Sequence, residues 1–382
     1  MNMNPPLILL AAGGTGGHIF PAEALAEELL DRGFAVELVS DERGSRFGAP
    51  GRIRVHRVRA ATLGSGVRER LSGVSENSLG FIQARRLIGR VKPALVAGFG
   101  GYASIPTVAA AASKGTPILL HEQNAVLGRA NRTMERVADK IALSFPEVDR
   151  LRPEAKDKIV VTGNPVRPAV ARISDIPYPK LETDGVLALL VMGGSQGARV
   201  FAHTVPEALA LLPEHLRRRI RLMQQCRAED LELVRSRLEE IGVIADLATF
   251  FVDVPERLAQ CHAVIGRAGA STVAEVTVCG RPSILVPLPT SADDHQKRNA
   301  EAVARAGAGW PMPQDGFTPE ALAVRLEEFL AWPSNLIKAA CAARAWGRPD
   351  AARNLADVAV SMVSDRKKVR RIRPFDLMEA AE

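Results

Sequence analysis

Two glycine-rich turns constrain this chain more than any other feature. Gly13-Gly14-Thr15-Gly16-Gly17-His18 and Gly193-Gly194-Ser195-Gln196-Gly197-Ala198 stand about half a chain apart, each directly after an apolar run that reads as a buried strand. Each leads into a helix-like segment, Ile19 to Leu30 and Arg199 to Leu212. A strand, a glycine turn and a helix start together leave unpaired backbone N–H groups and a positive dipole end where an anion can sit. Two such cradles in parallel positions predict a two-domain enzyme that handles a diphosphate.

The strand pattern agrees. Apolar runs at Leu7 to Ala12, Val36 to Ser40, Ala94 to Ala97, Pro117 to Leu120, Lys140 to Leu143 and Ile159 to Thr162 alternate with helical patterns. This is the βαβ rhythm of a parallel sheet. It restarts at Gly185 to Met192 and continues through Ile220 to Gln224, Ala248 to Val252, Ala263 to Ile265 and Ser283 to Val286. The proline-dense stretch from Asn164 to Pro179 separates the two series, because proline opposes both helix and central strand. The expected domains are therefore 1–163 and 164–365, the second ending in a helix pair broken at Gly347 to Pro349, with 366–382 as a mobile basic tail. At 382 residues, each domain is large enough for its own core.

Composition narrows the setting. No run of about 18 apolar residues occurs, and the N-terminal apolar stretch is too short for a secretory signal. Cys226, Cys261, Cys279 and Cys341 lack C-x-x-C spacing, so reduced, mostly buried thiols in a cytosolic chain are expected, with neither zinc site nor disulfide framework. The net charge of +7 is uneven: residues 1–163 hold 22 Lys/Arg against 16 Asp/Glu, and residues 164–365 hold 22 against 24. That balance gives no signature of nucleic-acid binding.

The turns discriminate among phosphate chemistries. From Gly14 the dinucleotide fingerprint lacks its third glycine, Ile19 standing in that place, although Asp41 after the second strand would suit a nicotinamide ribose. No lysine follows as in a P-loop, and no D-x-D triplet occurs anywhere to hold a metal. A departing diphosphate would then be stabilised by helix N-termini and cations such as Arg167, without metal. His18 at the exit of the first turn is a candidate base. A satisfied structural histidine, and a glycine turn that merely joins strand to helix, are the plain alternatives.

Taken together, Gly13 to His18, Gly100-Gly101-Tyr102, His121-Glu122-Gln123-Asn124, Thr162 to Arg167, Gly193 to Ala198 and Ala270 to Glu275 closely resemble the MurG family, in order, from residue 7 to about 365. The resemblance implies a GT-B fold of α/β class, two Rossmann-like doubly wound parallel-sheet domains facing a cleft. It implies an inverting glycosyltransferase that moves N-acetylglucosamine from UDP-N-acetylglucosamine to undecaprenyl-pyrophosphoryl-N-acetylmuramoyl-pentapeptide (lipid I). The product would be lipid II for peptidoglycan, made at the cytoplasmic face of the inner membrane by a peripheral protein, without cofactor or metal. Cell-envelope synthesis proteins are candidate partners.

The same resemblance implies site residues. Thr15, Gly16 and Gly17 would line the cleft, Asn124 the sugar, and Arg167, Ser195 and Gln196 the nucleotide and diphosphate. Val252 would contact uracil through its main chain. Ala270, Ser271, Thr272, Val273 and Ala274 would hold phosphate through backbone, with Glu275 on the ribose hydroxyls, a task suited to a carboxylate that accepts two donors. An ordinary surface acid is the alternative for Glu275. His295 and Gln296 would read the sugar, His295 standing where some relatives carry glutamine, unless the segment is an N-capped surface helix beginning near Asp293.

For the chemistry, His18 is the preferred base and Glu122 its rival. Residues 43–92 hold twelve Lys/Arg and two acids around an apolar group. In that stretch Phe81, Ala84, Ile88 and Val91 read as a core stripe, which leaves Leu79 and Ile82, with Arg85 and Arg86, as a surface for anionic lipid. A UDP-N-acetylglucosamine 2-epimerase of the same architecture, an NAD-dependent oxidoreductase and a non-catalytic scaffold are the competing readings.

Overall fold

The computed structural model describes residues 5–13, 16–41, 53–61, 67–194 and 197–372, with side chains left aside at 67–72, 74 and 365–372. Thr15, Ser195, Gln196 and residues 373–382 of the basic tail lie outside the described residues. The chain divides into two compact units, one of the residues up to Pro165 together with those from Asp350 onward, the other Val166–Pro349.

The first unit is built on seven parallel strands: β1 (Leu7–Ala11), β2 (Ala35–Ser40), β3 (Arg54–Arg57), β4 (Leu95–Gly98), β5 (Ile118–Glu122), β6 (Lys140–Leu143) and β7 (Ile159–Val161). Their order in the sheet is β3-β2-β1-β4-β5-β6-β7. Side chains alternate across the central strand. Ile8 and Leu10 pack with Leu25 and Leu29 on one face, while Leu9 packs with Val96, Ala84, Ile88 and Val108 on the other. β3 escaped the sequence pattern because Arg54–Arg57 is an edge strand with no buried position.

The second unit carries β8 (Leu187–Met192), β9 (Ile220–Gln225), β10 (Ile244–Ala248), β11 (Ala263–Gly266), β12 (Ser283–Leu285) and β13 (Gly309–Pro311), ordered β10-β9-β8-β11-β12-β13, again all parallel. Both sheets reverse direction of growth beside their first strand, as doubly wound nucleotide folds do.

Three expectations are corrected. The strand expected at Ala248 to Val252 lies earlier, at Ile244–Ala248, and the apolar residues after it leave the sheet: Phe250 and Val252 are exposed, and only Phe251 turns inward, under the Arg257 guanidinium. The last helix, expected with the second domain, belongs to the first unit. Ala351–Ile372 lays Leu355, Ala356, Ala359 and Val363 against Ile8, Leu10 and Leu25, and Asp357 pairs with Arg32 at 2.6 Å. Its apolar spacing is that of a one-sided helix, which needs a sheet face to cover. The helix also runs through residues 366–372, expected as mobile tail.

The helix Val67–Val91 buries Ala84, Leu87 and Ile88, with Phe81 and Val91 half-buried against the same core. Leu79, Ile82, Arg85 and Arg86 are all exposed. Asn77 and Gln83 of this helix bond the backbone of Ala61 and Arg59, tying it to the chain beyond β3. No helix of the described residues is long and apolar enough to cross a membrane.

Candidate functional site

In each unit the glycine turn follows the C-terminal end of the first strand, where ligands of open parallel sheets bind. In the first unit, β1, β4 and β5 are neighbours, so the turns after them meet. Gly13 N donates to Gly100 O at 3.2 Å, and a Cβ on Gly101, where φ is +73°, would come within 2.9 Å of Gly13 Cα. That approach of two backbones needs glycine on both sides.

The helix Gly16–Asp31 begins here, with Gly16 and Gly17 exposed and open space beside Gly17. His18, in its first turn, is half-buried beside Gly100 and Gly101. A Cβ on either would lie 3.3–3.4 Å from the ring. Its Nδ1 is 3.0 Å from Gln123 Oε1.

Glu122 behaves differently from a base awaiting a proton. It is buried, and its two oxygens accept four hydrogen bonds: Oε1 from Asn124 N (3.0 Å) and Asn124 Nδ2 (3.3 Å), Oε2 from Gly128 N (2.9 Å) and Asn131 Nδ2 (2.8 Å). A carboxylate so engaged shapes the loop that presents half-buried Asn124. Expected as a rival base, Glu122 has the geometry of a loop clamp.

In the second unit the 193–198 turn, the segment from Arg267 into the helix Ala270–Val278, and the segment from Pro287 to His295 follow β8, β11 and β12, three adjacent strands. A Cβ on Gly193 would sit 2.2 Å from Ala198 N, so those two residues approach backbone to backbone. Gly269 occupies the N-cap of the helix Ala270–Val278, and no side chain caps it. Ala270, Val273 and Ala274 are buried, so only Ser271 and Thr272 of this run reach the surface in part. The Ser271 hydroxyl has no partner among the described residues.

Glu275 is buried rather than a solvated surface acid, and it receives Arg167 in a fork: Nε to Oε1 at 2.6 Å and Nη2 to Oε2 at 2.8 Å. Burial opposes the Arg167 charge, but Glu275 outweighs it and raises the Arg167 pKa. This pairing was invisible in the sequence, 108 positions apart. Val252 is 88% exposed just past the C-terminal end of β10.

The helix His295–Arg305 is not capped by an aspartate side chain at its start. Asp293 and Asp294 both adopt left-handed backbone, φ +54° and +56°, a strained arrangement for consecutive non-glycine residues. His295 Nδ1 donates to Ala292 O at 2.7 Å, and Gln296 Oε1 accepts from Leu288 N at 3.0 Å, so each side chain is held by its own loop. The structure thus gathers His18, Gly16, Gly17, Glu122 and Asn124 in one unit, and Arg167 with Glu275 in the other. Gln123 and the fork itself were missed by sequence reasoning.

Comparison with known proteins gives a consistent result. The glycosyltransferase family 28 N-terminal domain matches residues 8–143 and the family 28 C-terminal domain residues 188–355. The chain is 57% identical, over 94% of both chains, to the UDP-N-acetylglucosamine–N-acetylmuramyl-(pentapeptide) pyrophosphoryl-undecaprenol N-acetylglucosamine transferase of Rhodospirillum centenum. It is 52% identical to the protein of that name from Paramagnetospirillum magneticum, over 95% of this chain and 98% of the relative. Among solved structures, Acinetobacter baumannii MurG superposes with a TM-score of 0.77 at 29% identity, covering 93% of this chain and 99% of that one. With two Rossmann-like units of the GT-B kind, the chain belongs to the MurG family of N-acetylglucosamine transferases, within glycosyltransferase family 28.

Proposed function

We propose that this enzyme transfers N-acetylglucosamine from UDP-N-acetylglucosamine to the lipid I acceptor, forming lipid II by a single inverting displacement. The observation that carries the reading is near-full-length similarity to relatives named for that transfer, joined to a histidine poised on a glycine turn.

In the reaction, the acceptor hydroxyl attacks the anomeric carbon as the bond to the UDP oxygen breaks. His18 takes the hydroxyl proton, and the electron pair leaves on the diphosphate. The second unit binds the donor: uncapped amides at the start of Ala270–Val278 and the 193–198 turn face the diphosphate, with Ser195 and Gln196 contributing from that turn. Glu275 holds Arg167 for the nucleotide and keeps its own role at the ribose; the main chain at Val252 meets uracil. His295 and Gln296 read the sugar; Asn124, Thr15, Gly16 and Gly17 are the first unit's candidate binding residues. The chemistry proceeds without a metal, since helix N-termini and Arg167 supply the positive potential.

The lipid-linked acceptor calls for a membrane surface. Leu79 and Ile82, exposed on the same helix as Arg85 and Arg86, suit contact with anionic lipid at the cytoplasmic face, as a peripheral protein. Participation in cell-wall growth, and through it in cell shape and division, would follow from that placement. The test is incubation with labelled UDP-N-acetylglucosamine and a lipid I analogue in the presence of chelator. Label appearing β-linked in the lipid product supports the reading. Epimerised free sugar, or a need for added metal, counts against it.

A further inference from the structure

Two residues of the His121-Glu122-Gln123-Asn124 run, His121 and Gln123, have no role so far, and their side chains bond each other. Gln123 is buried, 1% exposed, as is His121. Its Nε2 donates to Phe99 O at 2.9 Å and reaches His121 Nδ1 at 3.0 Å and His121 O at 3.1 Å. A carbonyl oxygen only accepts, so Phe99 O fixes which end of the amide is nitrogen. The opposite end, Oε1, therefore faces His18 Nδ1 at 3.0 Å as an acceptor.

His121 obeys the same logic. Its Nε2 faces Gly163 O at 3.2 Å, so Nε2 carries the proton and Nδ1 is left to accept from Gln123. Burial drives the His121 pKa down to about 4, the neighbouring His18 adding to that effect while Gly163 opposes it, so His121 stays neutral under ordinary conditions. The array runs from Gly163 O through His121 and Gln123 to His18, anchored by two backbone carbonyls that cannot reverse their polarity.

We propose that Gln123 is a positioning residue that holds His18 as its Nδ1–H tautomer, leaving the Nε2 lone pair to face the acceptor. The tautomer follows from the array alone; its use in catalysis rests on His18 being the base. Gly100 and Gly101 help by lying against the ring, where any side chain would press on it. An amide accepts the Nδ1 proton without adding charge, so the imidazole is oriented without a buried carboxylate beside it.

The test is long-range proton–nitrogen NMR of the full-length protein labelled at histidine nitrogens, at about pH 8, above the usual imidazole range. In the wild type, His18 is expected protonated at Nδ1 and His121 at Nε2. Gln123→Leu is expected to release His18 toward the Nε2–H form and lower kcat about 10-fold or more, with the donor KM within about twofold. Gln123→Glu keeps an oxygen toward Nδ1 but turns its other oxygen on Phe99 O and His121 O, so it should keep Nδ1 protonated at a cost in stability.

A wild-type His18 protonated at Nε2 overturns the proposal whether or not any variant folds. So does an Nδ1–H form that persists in Gln123→Leu. If the tautomer is as stated but His18→Ala turns over normally, the array stands and the base assignment fails.

Discussion

Arg167 and Glu275, 108 positions apart in sequence, grip each other through two parallel hydrogen bonds of 2.6 and 2.8 Å, with the Glu275 side chain 10% exposed and the Arg167 side chain 35%. Two residues expected to meet different parts of the nucleotide are thus one structural group. A planar fork on a carboxylate fixes the guanidinium in a way lysine cannot reproduce. Arg167→Lys is expected to weaken UDP binding about 10-fold or more, and a double-mutant cycle with Glu275→Gln should show coupling of about 1–3 kcal/mol. Titration calorimetry with UDP measures both; additive losses would mean that the two act separately.

His18→Ala should lower turnover about 100-fold or more, the scale of a lost general base, while leaving the unfolding midpoint near wild type. Steady-state rates with a lipid I analogue decide this. Glu122→Gln should act differently, because Gln in place of a carboxylate accepting four hydrogen bonds turns one oxygen into a donor facing other donors. Its expected signature is reduced stability, with turnover lost in step.

Arg281 is buried with its guanidinium directed at carbonyls: Leu258 O at 2.5 Å, Cys279 O at 2.7 Å and Ala259 O at 2.9 Å. It closes the ends of two helices, Val254–Gln260 and Ala270–Val278, where carbonyls lack intrahelical partners. Arg281→Met should cost the second unit about 2–4 kcal/mol, from buried carbonyls left unpaired. Urea denaturation followed in that unit checks the value, and an unchanged midpoint would contradict it.

The depressed pKa of His121 makes stability depend on pH. Burial lowers it from 6.5 to about 4, so between those values the unfolded chain binds a proton that the folded chain refuses. The stabilisation, about 3 kcal/mol at most, is fully present above pH 6.5 and is lost as pH falls toward 4. Denaturant midpoints across that window should fall with decreasing pH in the wild type and more gently in His121→Asn.

The exposed face of Val67–Val91 predicts lipid binding. Leu79→Ser with Ile82→Ser, or Arg85→Glu with Arg86→Glu, should each reduce binding to anionic vesicles, the charge pair by about 1 kcal/mol per arginine and in a salt-dependent way. Sedimentation with vesicles rich in phosphatidylglycerol reads this. Equal binding by all variants would remove the patch from that role.

The sheet strands were legible where both faces are buried, as in Leu7–Ala11 and Leu187–Met192, because continuous apolar runs bounded by glycine have few other uses. Edge strands were not: Arg54–Arg57 buries nothing, and Ala248 to Val252 reads as a strand while Phe250 and Val252 face outward. The placement of Leu355 and Ala359 on the first sheet is a tertiary choice that an amphipathic pattern cannot announce. At the site, sequence located the glycine turns and the histidine. It could not tell a saturated carboxylate, Glu122, from a reactive one, nor see that Gln123 aims His18, since both depend on which backbone groups lie within 3 Å.

The transfer reaction is tested most directly by UDP release from UDP-N-acetylglucosamine measured with and without a lipid I analogue. Release is expected only when acceptor is present, matched mole for mole by disaccharide-lipid product and reduced about 100-fold or more in His18→Ala. Release at equal rate without acceptor, or full activity in that variant, would contradict it.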